Sequence, residues 1–256
     1  MKSIITTIIL GICTAFASMT ASAATKFADE TLKYVITYKW GLITKDSGDA
    51  TLTLKNQGSK YYIRLTGKTR PWADGLFKVR DTLVSVMDKE KFRPISYTKA
   101  AHEGGSYTKD HIEYSYSGKR VTGNGTIYKE KKKGETTTSE LELAAEGDTF
   151  DMLSVFYWIR SFDPEKMPEG KKLTATLFSG SHEETVKIWK VGEGIIKMRD
   201  GTRRDAWHIR FTFTSRGGKK TSDDIDAWIS KDDKRIPLEI KGSLPLGHVC
   251  AYLIEN

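Results

Sequence analysis

Apolar and polar side chains alternate along much of this chain. Leu32, Tyr34, Ile36, Tyr38 and Trp40 interleave with Lys33, Val35, Thr37 and Lys39, and Trp207, Ile209, Phe211 and Phe213 interleave with His208, Arg210 and Thr212. A period of two puts successive side chains on opposite faces of a strand, so the pattern predicts strands with one buried and one wet face. Turn-forming pairs punctuate the strands at intervals of about ten residues, the spacing of an antiparallel meander. They are Gln57-Gly58, Gly104-Gly105, Ser117-Gly118, Asn124-Gly125, Gly192-Glu193-Gly194, Asp200-Gly201 and Gly217-Gly218. Asn-Gly at 124 is the cleanest hairpin signal, since a two-residue turn needs positive φ at both central positions. Roughly fourteen such segments exceed what one flat sheet accommodates. The expected fold is therefore all-β, an antiparallel meander curled into a barrel-like or spiral sheet.

One segment departs from the period of two. Residues 149–161 read TFDMLSVFYWIRS, with Met152, Val155, Phe156 and Ile159 at helical spacing and Leu153, Tyr157 and Trp158 on other sides. Asp148 is the expected N-cap and Pro164 the stop. A helix apolar on most sides has to be surrounded, so it is expected in or across the curled sheet. The loop 163–170 is the best candidate for a domain boundary, yet the helix needs strands from both halves to bury it. A single β-rich domain over 24–256 is therefore expected.

Residues 1–23 combine Lys2, an apolar run over 4–17 and the small-residue pattern Ala21-Ser22-Ala23. This is the make-up of an export signal cleaved before Ala24, and its apolar run is too short to span a bilayer. After cleavage no transmembrane segment is expected. Ile12 before Cys13 is too large for lipoprotein processing. Cys250 is then the sole cysteine, so no intrachain disulfide forms, and its apolar surroundings predict a small core residue.

Composition adds less. The 256 residues carry a net charge of +8, a mild excess that suits an anionic envelope surface, and export argues against nucleic acid as partner. The 27 aromatic residues (10 Phe, 11 Tyr, 6 Trp) spread along the chain exclude disorder. The run Lys129-Glu130-Lys131-Lys132-Lys133-Gly134 reads as a solvated hairpin tip, with an anion-binding patch as the alternative.

Catalytic chemistry is absent from the motifs. The histidines at 102, 111, 182, 208 and 248 lack metal-ligand spacing, and Asp223-Asp224-x-Asp226 lacks the Gly and terminal Glu of a calcium loop. Ser154 lies outside any nucleophile elbow and no glycine-rich phosphate loop follows a strand. No metal, no cofactor and no enzymatic activity are expected. Asp81 and Glu103 are the carboxylates named for the enzyme alternative, a polysaccharide hydrolase or lyase, although spacing selects no pair. Arg80 and Asp81 face opposite sides of a strand, so at most one lines the interior. Asp232-Asp233 reads as turn chemistry between two strands.

Five features in order resemble one family: the early strand over 34–41; the segment 76–81 followed by Asp88 and Pro94; the helix with Asp151, Leu153, Ser154, Tyr157 and Arg160; the hairpin over 228–237; and Gly242-Ser243-Leu244-Pro245-x-Gly247. That family is the exported domain of unknown function 3108. The resemblance implies a Gram-negative envelope protein of the Bacteroidetes type, located in the periplasm or envelope, and it brings no catalytic residues.

A curled sheet of this many strands encloses more space than one helix fills. The leading expectation is thus a monomeric binding protein or carrier whose cleft holds a lipid-like or amphipathic envelope molecule. Trp40, Tyr157, Trp158 and Trp228 are the expected walls, with Arg80 or Arg160 meeting an anionic head group at the rim. In the competing account these aromatics are core and the arginines are ion-paired. An envelope protein docked through a strand edge or through Lys131, Lys132 and Lys133 is the other reading.

Overall fold

The computed structural model describes residues 27–168, 170–215, 224–243 and 247–254. The segment 1–23 expected as an export signal, Gly217-Gly218, Asp223 and Leu244-Pro245 lie outside the described residues. Fifteen strands form one continuous sheet: β1 (Glu30–Trp40), β2 (Ile43–Gln57), β3 (Lys60–Thr69), β4 (Val79–Asp88), β5 (Arg93–Glu103), β6 (Ser106–Ser117), β7 (Arg120–Glu130), β8 (Thr136–Glu146), β9 (Thr149–Phe150), β10 (Leu173–Ser179), β11 (His182–Lys197), β12 (Arg203–Ser215), β13 (Ile225–Ser230), β14 (Pro237–Ser243) and β15 (His248–Ile254). The four-residue helix α1 (Pro71–Asp74) interrupts the β3–β4 connection, and α2 (Ser154–Ser161) follows β9.

The sheet order runs β8 to β1 and continues through β15 down to β9, so the first and last strands pair in its middle. Every ladder is antiparallel except the two-residue pairing of β9 with β10. The fold is all-β and barrel-like, as the alternation predicts.

The ends of the sheet overlap instead of pairing. Leu177 and Phe178 sit on opposite faces of β10 and both are buried. Leu177 joins Ile188 and Ile209 in one cluster, while Phe178 stacks on Tyr114 of β6 with centroids 5.5 Å apart. Beneath that ring lies Gly123 of β7, where an added Cβ would come within 2.7 Å of Phe178. The β9–β10 edge is thus rolled inside the β6–β8 wall, and side chains fill the overlap. Glu183 of β11 accepts a hydrogen bond from the backbone N–H of Ala144 at 3.2 Å, occupying a donor of the otherwise unpaired β8 edge.

The turn signals divide. Gly58, Gly104, Gly105, Gly118 and Gly201 take positive φ between strands, as expected. Asn124-Gly125 and Gly192-Glu193-Gly194 instead lie inside β7 and β11. At Gly125 the reason is space, because a Cβ there would collide with the His111 carbonyl oxygen of β6. At Gly192 the β11 register slips against β12, so glycine marks a bulge.

The helix is shorter than expected and starts later. Thr149 and Phe150 are strand, and Asp151 rather than Asp148 supplies the cap. Its Oδ1 accepts from the N–H of Leu153 (2.8 Å) and Ser154 (2.9 Å), and its Oδ2 accepts from the Ser85 hydroxyl at 2.7 Å. Asp151 is fully buried, and burial pushes its carboxyl upward against these bonds. Three local expectations hold. Cys250 is buried and free, the lysine run forms the exposed β7–β8 turn with Lys131 on Glu135, and Asp232 caps the β13–β14 turn.

Candidate functional site

Helix α2 fills one end of the barrel. Arg160 in its last turn is buried against Glu30 at the start of β1, with N–O distances of 2.6 and 3.0 Å. Its remaining donors reach the carbonyls of Lys234 and Arg235 in the β13–β14 turn. The guanidinium lies over the rings of Phe27 and Tyr157, and the Tyr157 hydroxyl donates to Glu30 at 2.8 Å. One carboxylate therefore serves two partners, and no water is needed to satisfy the group.

The first turn of α2 faces the other way. Met152, Leu153 and Phe156 form the floor of a cavity of about 250 Å³. Tyr34 and Ile36 of β1, Ala50 and Leu52 of β2, Leu65 of β3, Ile240 of β14 and Ala251 of β15 form its wall. Register explains the set: Leu52 pairs with Leu65, and Ile36 and Ile240 both pair with Ala251, so one inward face runs across five strands. The Tyr34 hydroxyl is turned away and donates to the Pro237 carbonyl at 3.0 Å, leaving the ring to the cavity. Ala50 and Ala251 make the room, since larger residues at these positions would reach α2. Met152 is 45% exposed, an unusual position for a thioether and a feature of adaptable binding surfaces. A dry apolar cavity of about 150 Å³ already holds a benzene ring. This one has space for a ring system or a length of alkyl chain.

Polar groups flank the apolar wall. Ala50 pairs with Gly67 and Gly67 with Asp81, which places Asp81 two strands, about 10 Å, round the same inner face. Burial, then the charge of Glu103 and a hydrogen bond to it, push the Asp81 carboxyl up to about 6. Lys99 lies on the same face at 4.0 Å from Glu103. Asp81 Oδ1, Asp110 Oδ1 and the hydroxyls of Tyr97 and Tyr114 are buried with no protein hydrogen-bond partner among the described residues. Buried polar atoms are normally paired, so this strip is suited to water or to the polar part of a ligand.

The Asp81 shift has a definite sign. The folded protein holds a proton that the unfolded chain releases near 3.8, so the contribution of Asp81 to stability is greatest below that value and is lost as pH rises through 4 to 6. Chemical denaturation followed across this window should show the midpoint dropping with rising pH, and Asp81→Asn should flatten the slope.

None of the aromatic residues expected as walls lines the cavity. Trp40 is half exposed at the β1–β2 turn. Tyr157 is buried in the plug, and Trp158 packs on Phe150 and Phe162 in the second core cluster. Trp158 borders a separate cleft of about 230 Å³ beside Phe92, Tyr116 and Phe162. Trp228 pairs with Glu239 on the opposite face of the sheet from the cavity and stacks on His208 at 4.7 Å. Arg80 is outward and held by Asp74 at 2.6 Å, and Arg160 is the internal ion pair described above. Arg160 is thus an internal ion pair, while Arg80 is paired with Asp74 and borders surface clefts beside His102 on the outer side of the sheet. Asp81 is the inward member of the Arg80–Asp81 pair. Among the described residues no three His, Cys, Asp or Glu side chains come together as a metal-ligand set.

Fold and cavity together define a barrel-like β protein with a helical plug and an apolar internal space. Residues 33–254 match the family described as "Protein of unknown function (DUF3108)", and the chain belongs to that family. No curated protein matches it. Among solved structures it is similar to a β-barrel-like protein of the domain of unknown function DUF1849 from Brucella abortus. The TM-score is 0.59 at 10% identity, over 90% of this chain and 97% of the other. At that identity the likeness concerns the fold.

Proposed function

We propose that this protein is an exported, non-catalytic binder or carrier of an apolar or amphipathic envelope molecule, with its apolar part above α2. The observation that carries this reading is the 250 Å³ cavity, whose wall contributes no polar side-chain group except a hydroxyl turned away from it. An apolar surface left open inside a barrel is stabilised by an apolar occupant. The polar strip from Asp81 to Tyr114 accommodates the other end of an amphipathic ligand.

The hydrolase alternative gains no support from Asp81 and Glu103. The apolar wall above α2 is lined by neither carboxylate, so the pair does not sit where the cavity would hold a sugar.

Displacement of a fluorescent fatty acid tests the binding reading. Wild-type protein should bind the probe, and Ala50→Trp, which fills the cavity, should weaken binding by about tenfold or more with an unchanged circular dichroism spectrum. Failure of the wild type to bind the probe, together with organic extracts free of lipid from protein purified out of its native periplasm, would overturn the proposal.

A further inference from the structure

The end of the barrel opposite the α2 plug carries an unusual concentration of exposed apolar side chains. Trp40, Leu42 and Ile43 form the β1–β2 turn, and Leu76 and Phe77 lie in the connection between α1 and β4. All five are more than half exposed, and Leu42 is fully so. β1 ends, β2 begins, β3 ends and β4 begins at this end, so the two segments belong to one rim. The cavity lies on the side of α2 that faces this rim, because α2 seals the end marked by Glu30 and the β13–β14 turn.

The rim is continuous and basic. Phe77 covers Gly104 in the β5–β6 turn, where a Cβ would come within 2.6 Å of the ring, and Lys132 of the β7–β8 turn lies along Gly105. Lys45, Lys78, Lys132 and Lys133 are exposed there. Most neighbouring acids are already paired within the protein. Asp46 is held by Arg199 and Arg70, Asp49 by Arg70, Asp74 by Arg80 and Glu135 by Lys131, and Glu103 lies 4.0 Å from Lys99, which leaves Glu130 as an exposed acid beside the lysines. Two protruding apolar tips set among lysines differ from the broad, flat apolar face of a protein–protein interface. They match the interface of a bilayer, where apolar and aromatic side chains enter the acyl boundary and lysines meet anionic head groups.

We propose that this rim docks on an anionic lipid bilayer, with the cavity side of α2 turned towards the lipid. The inference goes beyond the binding reading, since it concerns where the protein sits. An apolar ligand could then pass between bilayer and cavity without crossing bulk water.

Flotation of the full-length mature protein with vesicles tests this. Vesicles of phosphatidylglycerol and phosphatidylethanolamine should retain the protein, phosphatidylcholine vesicles should retain much less, and added salt should weaken retention. Leu42→Ser with Phe77→Ser should lower binding by about tenfold or more, and Lys132→Glu with Lys133→Glu by about fivefold per lysine. These positions are exposed, so thermal unfolding should be unchanged and should verify that each variant is folded. Fatty-acid displacement in solution should be normal in the rim variants, and Ala50→Trp should still float with vesicles, which separates docking from ligand binding. No retention on anionic vesicles, or retention unaffected by the Leu42 and Phe77 substitutions, would overturn the proposal. A rim that instead recovers a protein partner in the absence of lipid binding would overturn it in favour of a protein interface.

Discussion

Arg160→Ala is expected to lower the stability of the protein by about 3–5 kcal/mol, the range for removing one member of a buried ion pair. The loss comes less from the missing bond than from the charge left behind. Glu30 would stay next to α2 with only the Tyr157 hydroxyl as partner, and the carbonyls of Lys234 and Arg235 would lose their donors. The rings of Phe27 and Tyr157 would also lose the guanidinium packed against both of them. A double replacement, Arg160→Met with Glu30→Met, removes both charges and keeps the volume, so it should be much less destabilising than Arg160→Ala. Urea denaturation of the two variants checks this. If Arg160→Ala costs no more than the double replacement, the pair does not anchor the plug.

Phe178→Ala is expected to cost about 3–5 kcal/mol, as for other fully buried aromatic residues. Its consequence should be regional. Phe178 fills the overlap where the sheet rolls inside itself, a place bridged by the Glu183 side chain on the Ala144 N–H rather than by a backbone ladder. With the ring gone, Tyr114 loses its stack and Gly123 faces a void. Amide exchange should therefore accelerate first in β8, β9 and β10, while β1 and β15 in the middle of the sheet remain protected. The reciprocal substitution, Gly123→Val, overpacks the same spot and should cost about 1–3 kcal/mol with the same regional pattern. Uniform acceleration across all strands would show that the overlap is not a separate unit.

Much of this architecture is legible in the chain. Alternation over 32–40 and 207–213 identifies β1 and β12, because the period of two is a local geometric property of extended backbone. Yet Val35 and Thr37 on the expected wet face of β1 are buried, and Trp40 on the expected buried face is exposed. The burial of Cys250 and the turns at Gly58, Gly118 and Gly201 follow from equally local rules. Asn124-Gly125 shows where such rules stop. The dipeptide is a strong hairpin former, but Gly125 is needed inside β7 because the His111 carbonyl leaves no room for a Cβ, and that neighbour belongs to another strand.

The site was less legible than the fold. Tyr34, Ile36, Leu52 and Leu65 are readable as inward residues, but so are Leu32, Leu54 and Ile63, which are packed core. What separates the two groups is the position of α2 along the barrel. That position is set by the Asp151 cap on Ser85 and the grip of Glu30 on Arg160, the latter a contact between residues 130 apart in the chain. Periodicity and turn chemistry act over a few residues, and they suffice to predict a curled antiparallel sheet with one apolar segment inside. Long-range packing alone set Trp228 on the face of the sheet opposite the cavity, made Arg160 an anchor and left the open space above Met152. Those outcomes depend on which distant side chains satisfy a buried charge or fill a gap, and no local pattern encodes that.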